Sequence, residues 1–373
     1  MKKFFFSIFA AVLVMPVFAE DDDAFTSDEK LESGFFTSML NHSIESNMMA
    51  EPAKAEEMKY GRNVTGFVSA PKFGGYVINK YTYSDMDGAQ GGAGFEQRLI
   101  RAYVDGTILG DFKYRIQVQM NNQAFHMKDF FVEWQKYKYF MVKVGQFKRA
   151  FGYENPMNPW DISAGDYGIY TRNMTGDSWG ASWGGGGRDM GIQVQGDFLK
   201  VGSDNHNLIH YQVGLWNGQG INTKDVDGKK DLIGTVQFQP IKGLSIGAFG
   251  WHGSFNNVEK NRYAFGAKYD NAGWALRTEW GHSQEGANKH DAWYVVGAMP
   301  INDWFRLCAE YQTYRKDKTW GKAQSIYSLM PEIQLHKNLK FQLQYNWNDV
   351  RANNIPGKDG RYNEIIAEVY FRF

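Results

Sequence analysis

From Phe73 to the C-terminus the chain alternates apolar with polar side chains, and a rhythm of two admits only extended strands with two unlike faces. Residues 112–120 read Phe-Lys-Tyr-Arg-Ile-Gln-Val-Gln-Met, with every odd member of the run apolar or aromatic and every even member polar or charged. The pattern returns where Trp274, Leu276, Thr278 and Trp280 oppose Ala275, Arg277 and Glu279, where Phe305, Leu307, Ala309 and Tyr311 oppose Arg306, Cys308, Glu310 and Gln312, and again over 339–347. Such a strand keeps one greasy and one wet face.

The links between strands alternate as well. Those at 109–111, 136–138, 240–243, 270–272, 300–303 and 336–338 are tight, and the one near 200–207 is longer. Between them fall polar links at 85–94, 219–230, 255–260, 281–290, 315–322 and 348–360, with 122–126 short for its side. A soluble sandwich has no reason to sort its connections in this way, whereas an outer-membrane barrel keeps short turns on its periplasmic rim and long loops outside. The segments between links number about sixteen, most of them long enough for a tilted strand to cross a bilayer. They fall near 75–84, 95–108, 112–121, 127–135, 139–147, 188–198, 208–217, 231–239, 244–252, 261–269, 273–280, 291–299, 304–314, 323–335, 339–347 and 361–373. The expected fold is all-β, a transmembrane antiparallel β-barrel over 63–373.

Two stretches stand outside the rhythm. Residues 1–19 combine Lys2 and Lys3 with a short apolar run ending at Ala19, the layout of a cleaved signal peptide. Past that run no window reaches the ~18 to 20 apolar residues of a membrane helix, so a membrane reading requires a barrel. Residues 20–62 are acidic, rich in Met, Ser and Glu, and poor in aromatics, and they read as a helical or disordered periplasmic segment; Ser27 can cap a short helix, and Pro52 would interrupt one. Lys plus Arg equals Asp plus Glu at 41 each, so the balance asks for no nucleic-acid partner. The single cysteine, Cys308, excludes an intramolecular disulfide, and its plainest reading is a small strand residue.

The cost of a cation on the lipid side, roughly 2–4 kcal/mol near mid-membrane, directs the basic residues inward. Arg101, Lys113, Arg115, Lys143, Arg277 and Arg306 are therefore expected to line a pore, together with Glu133, Glu279 and Glu310 on the same faces. Aromatics cluster at strand ends, with Phe112, Phe140, Trp274 and Phe305 after tight turns and Trp280, Tyr311, Tyr345 and Trp347 before long links, as two interfacial girdles require.

The final strand, NEIIAEVYFRF, sets Val369, Phe371 and the terminal Phe373 on one face. It resembles the C-terminal signature by which bacterial outer-membrane proteins are read by the barrel-assembly machinery. The stretch 139–161, YFMVKVGQFKRAFGYENPMNPWD, is similar to the GQFK-x-PFG-like segment of the phosphate-selective porin family, the O and P type channels, with Ala150 where a Pro is common. FEQRLIRAYVDG with FKYRIQVQM, and PKFGGYVINKY at the barrel start, resemble the same family. The likeness spans 71–373. It implies a sixteen-stranded, commonly trimeric channel in the bacterial outer membrane that passes small hydrophilic solutes or inorganic anions; it does not by itself make phosphate the solute.

A pore needs a wet lumen, a constriction and charges that choose the ions. The link 148–188 is far longer than the ordinary loop of about 12–15 residues and carries Glu154, Asp161, Asp166 and Arg172. It is expected to fold into the barrel as a constriction, the alternative being an exposed surface loop. Arg101, Lys113, Arg115 and Lys143 come from nearby strands and suit one basic patch, yet Asp105, Asp129 and Glu133 share those strands and suit a mixed lumen. No cofactor or metal is expected, since the eight histidines show no ligand spacing and Asp225-Val226-Asp227-Gly228 lacks the other positions of a calcium loop. Gly281-His282-Ser283-Gln284-Glu285-Gly286 misplaces the second glycine of a nucleophile elbow and lacks its strand-to-helix setting. An enzyme is not expected. A phospholipase- or protease-like barrel and an adhesive or structural barrel with a plugged lumen stand as the competing readings.

Overall fold

The computed structural model describes residues 69–86, 92–121, 125–163, 165–178, 185–351 and 360–373. The expected signal peptide and the acidic stretch 20–62 lie outside the described residues. The strands are β1 (Lys72–Ser84), β2 (Gly92–Ile108), β3 (Phe112–Met120), β4 (Phe125–Tyr137), β5 (Phe140–Lys148), β6 (Arg188–Val201), β7 (His206–Trp216) and β8 (Asp231–Ile241). They continue as β9 (Leu244–Phe255), β10 (Val258–Asn271), β11 (Trp274–Glu285), β12 (Asn288–Pro300), β13 (Phe305–Lys316), β14 (Ala323–His336), β15 (Leu339–Val350) and β16 (Gly360–Arg372). Each pairs antiparallel with its sequence neighbours, and β1 pairs with β16, which closes a barrel of sixteen strands. Closure leaves no open edge in the hydrocarbon, where an unpaired backbone group is costly.

The faces divide as the alternation requires. Ile116, Leu276 and Leu343 point outward at 40%, 52% and 48% exposure, while Arg277, one residue from Leu276, points inward at 5%. At the seam, Gly75 and Phe373 exchange backbone hydrogen bonds of 3.1 and 3.0 Å, and the Phe373 ring lies over Gly75. A Cβ on Gly75 would stand 2.5 Å from both the Arg101 carbonyl oxygen and the ring, so only glycine seats the terminal aromatic there.

Two expected long links are tight hairpins instead. β9 and β10 join through Asn256-Asn257, both at positive φ, and β11 and β12 through Gly286-Ala287, with Gly286 at φ +56°. Asparagine tolerates the left-handed region that two-residue hairpins demand. The polar residues that resembled loop are strand: Glu259, Gln284 and Lys289 continue the ladders towards the rim. The 200–207 link likewise shrinks to a turn at 202–205.

A bulge between Ile78 and Asn79 shifts the β1–β2 register, so that Ile78 faces Leu99 while Asn79 faces Gln97. The extra residue, Arg98, turns inward. Pro331 is accommodated within β14 because the ladder to β15 lapses between Leu329 and Glu332, where proline has no N–H to give.

Candidate functional site

The described parts of the link, 149–163, 165–178 and 185–187, enter the barrel, and their route is fixed by inward side chains that supply the partners their backbone lacks. The Glu279 carboxylate on β11 accepts the N–H groups of Tyr153 and Glu154 at 2.9 and 3.0 Å. Gly152, at φ +79°, permits that approach, since a Cβ there would stand 2.7 Å from Glu279 Oε2. Glu154 in turn accepts from Arg277 at 3.0 Å, from the Gly168 N–H at 3.1 Å and from the Thr171 hydroxyl. Arg262 on β10 donates to the carbonyls of Met174 and Gly176, and Lys260 donates to that of Asp177. Lys340 on β15 donates to the Trp160 carbonyl at 2.7 Å.

Within the segment, α1 (Ile169–Met174) packs Tyr170 and Met174 against an apolar cluster that includes Phe151, Tyr153, Phe249, Trp251, Tyr294 and Met330. This cluster holds the segment against β8–β14, while its Trp160 packs on Tyr76 of β1 and Tyr370 of β16 and its Asp166 reaches Arg98 of β2, so the segment bears on both sides of the lumen. A helix this short is marginal alone, so packing and the borrowed hydrogen bonds must hold it.

Of the residues expected to line a pore, Arg277, Glu279 and Glu310 do face inward, but they sit beneath the inserted segment at 5%, 1% and 5% exposure. Arg277 and Glu279 are its anchors rather than open pore wall. Glu154 is also sealed, at the segment's root. Asp166 spans Arg98 at 2.6 Å and Arg172 at 2.8 Å. Burial alone would raise its carboxyl, but the two guanidinium groups outweigh that and hold it well below the usual range. Asp161 has no such clamp: burial pushes it up to about 6, against the opposing pull of Lys340 and Arg372. Arg306 pairs with Glu332 at 2.8 Å, which also holds Lys340 at 3.0 Å.

The opposite wall is basic. Arg101 on β2, Lys113 and Arg115 on β3, Lys128 on β4, Lys143 and Lys148 on β5 and Arg188 on β6 project from adjacent strands. Three carboxylates on the same wall answer them: Asp105 binds Arg115 at 2.7 and 2.6 Å, Asp129 binds Arg188 at 2.8 and 2.9 Å, and Glu133 meets Lys143 at 3.3 Å. In this cluster the cations outnumber the carboxylates they pair with, while Asp189 and Asp197 on β6 add two further carboxylates that pair with Arg149 and His210. Arg101 is held by neutral groups, the Gln119 carbonyl oxygen at 2.8 Å and the Tyr76 hydroxyl at 2.7 Å. Lys148 donates to the Asn155 carbonyl at 2.7 Å and the Tyr167 hydroxyl at 2.6 Å. A cavity between this wall and the inserted segment is lined by Arg101, Arg115, Lys143, Lys148, Arg188 and Asp129, among others.

Sequence reasoning missed Lys128, Lys148, Arg188 and Arg98. Lys148 and Arg188 bracket the long link and are brought together by β5–β6 pairing, so the signal lay in the link's two ends. Lys128 and Arg98 sit at register shifts, where a strict two-residue count fails.

No protein-family model matches the sequence, and no curated protein matches it. Solved structures do. An anion-selective porin from Comamonas acidovorans superposes with a TM-score of 0.63 at 14% identity, covering 82% of this chain and 99% of that one. OmpF of Salmonella typhi, in complex with daunomycin, gives 0.64 at 12% identity over 81% and 97%. The outer-membrane channel DcaP of Acinetobacter baumannii gives 0.55 at 13% over 84% and 99%. The chain has the barrel fold of these bacterial outer-membrane porins and channels.

Proposed function

We propose that the protein is a porin of the bacterial outer membrane, a water-filled channel through which small hydrophilic solutes diffuse passively, with a preference for anions. The observation that carries this reading is the cluster of cations on the β2–β6 wall, which lines a cavity beside the inserted segment. A lumen walled by low dielectric focuses the field of such a cluster and raises the local anion concentration. Rows of neutral donors and acceptors around Arg101, Gln117, Gln119 and Gln193 suit a solute that sheds part of its water.

Inorganic phosphate is the specific anion suggested by the GQFK-like stretch, whose Lys148 belongs to the basic wall. The outward Val369, Phe371 and Phe373 suit the barrel-assembly machinery, the apolar exterior suits outer-membrane lipid, and a homotrimer fits a fold shared with a Vibrio cholerae outer-membrane protein, OmpT, solved in a trimer form with a TM-score of 0.57 at 12% identity. The reading assigns no catalytic role.

Reconstitution of the purified protein in a planar bilayer tests it. Stepwise conductance with a reversal potential of anion-selective sign is expected under a KCl gradient, and added phosphate should block part of the chloride current. Arg115→Ala combined with Lys113→Ala should weaken that block. A folded barrel that passes no current would overturn the proposal and favour a plugged or enzymatic barrel.

A further inference from the structure

At the long-link end of β12–β16 the outer wall passes from apolar to aromatic to cationic, and strand register sets the order. Outward Leu329, Tyr345 and Ile365 share one rung. On the next outward rung, Tyr311, Tyr327 and Trp347 form a row with ring centroids 4.8 and 5.1 Å apart. Past that row Trp293 stands opposite Thr313 and Asp349 opposite Arg361, and the rung after it pairs Asp291 with Arg315.

The cations lie on the rings. The Arg315 guanidinium sits 5.0 Å from the Trp293 ring centroid and 4.9 Å from that of Trp320, and the Arg361 guanidinium sits 6.0 Å from that of Trp347. Asp291 holds Arg315 through hydrogen bonds of 2.9 and 2.6 Å. Arg351 and Arg361 instead share the Asp349 carboxylate, at 3.3 and 3.7 Å, and their side chains are 46% and 70% exposed. A guanidinium carries several N–H donors in a fork, and half of one carboxylate engages only part of them. The neighbouring wall differs. Beyond the Tyr263 and Trp280 rings, 5.7 Å apart, the outward residues of β10 and β11 are Glu259, Asn261 and Gln284.

We infer that this rim binds the phosphorylated sugar headgroup of an outer-leaflet glycolipid. The inference rests on the porin reading, which sets the long links outside and so places the rim in the outer leaflet. A row of outward rings marks the depth at which acyl chains give way to headgroups. Arg315, Arg351 and Arg361 lie beyond that row, at headgroup height, where a phosphate can accept from guanidinium forks. Leu329 and Ile365 take the acyl chains below, and Tyr327 and Trp347 give the sugar an apolar surface between the two. Basic clusters beside a bilayer select anionic lipid in this way. A zwitterionic lipid brings an ammonium group with its phosphate and gains less.

The test titrates the full-length protein, in mild detergent, with bis-phosphorylated lipid A and counts bound lipid by native mass spectrometry. Wild type should bind it, and should bind dephosphorylated lipid A and phosphatidylglycerol several-fold more weakly. Arg351→Ala combined with Arg361→Ala should weaken binding about thirtyfold, about fivefold for each arginine. Lys224→Ala combined with Lys229→Ala removes the same charge from the exposed 217–230 link and should leave binding unchanged. Heat-resistant mobility on gels reports that each variant is folded; should the double arginine variant fail this check, Arg361→Ala alone decides, with a loss of about fivefold. Current through wild type and variants in a bilayer free of lipid A should be equal, which separates the two readings: normal current without lipid binding refutes this inference alone, and lipid binding without current refutes the channel alone. No binding by wild type, equal binding of dephosphorylated lipid A or phosphatidylglycerol, or equal losses in the arginine and lysine variants would overturn the inference.

Discussion

Glu279→Ala removes the carboxylate on which the inserted segment rests. In the intact protein it accepts the N–H groups of Tyr153 and Glu154 at 2.9 and 3.0 Å and the Tyr294 hydroxyl at 2.5 Å. A buried donor left without a partner costs about 1–3 kcal/mol, so the two backbone groups alone should destabilise the seated segment by about 2–6 kcal/mol. Water reaching the lumen would recover part of this, which favours the lower end, about 2 kcal/mol. Since every 1.4 kcal/mol is tenfold, the unseated population should rise by about 30-fold. The strands should survive, because β11 keeps both of its ladders. In single-channel recordings the variant should therefore show a larger, noisier conductance, with normal resistance of the barrel to unfolding. Glu279→Gln, which keeps one acceptor oxygen, should fall between. Conductance and noise identical to wild type in Glu279→Ala would refute the claim that this carboxylate seats the segment.

Further outcomes follow from the same geometry. The Asp161 carboxyl, raised to about 6 by burial, is charged above that pH and neutral below it. The lumen should gain one unit of positive charge as pH falls through about 6, so the anion-to-cation permeability ratio should rise on acidification, and Asp161→Asn should abolish that step while leaving the ratio at its acidic value. Leu276→Arg places a cation on the lipid face and should lower the folding free energy into vesicles by roughly 2–4 kcal/mol, read from denaturant titration, whereas Ser283→Arg, an inward change near the rim, tests crowding instead. Gly75→Ala should displace the Phe373 ring and slow barrel closure, measured as delayed acquisition of heat-resistant mobility on gels.

The wall of the barrel was legible because its physics is local: a period of two, a cost for cations in lipid, and short turns that need left-handed residues. Strand positions drawn from the alternation agree with the structure to within a few residues over most of the chain. Asn256-Asn257 and Gly286-Ala287 went unrecognised because polar strand ends above the membrane have the composition of loops; only their turn conformation distinguishes them. The interior was less legible. Alternation says which side chains turn inward, but not which of them an inserted segment will cover, and Arg277 and Glu279 became anchors through contacts more than 120 residues away in sequence. Register shifts hid Arg98 and Lys128 for a different reason, since one extra residue inverts every facing assignment beyond it. Inward aromatics such as Trp251 and Tyr294 carry no pore signature at all; they are the apolar seat of the segment, and the segment's own Phe151, Tyr153 and Tyr170 are their counterparts.

The alternation itself can be tested most directly on β3. Single cysteines placed at 113 to 118 in a Cys308→Ala background would be exposed to a charged thiol reagent during bilayer recording. The account predicts that current changes at 113, 115 and 117, whose side chains face the lumen, and stays constant at 114, 116 and 118, which face lipid. Modification of the current at the even positions, or at none, would contradict it.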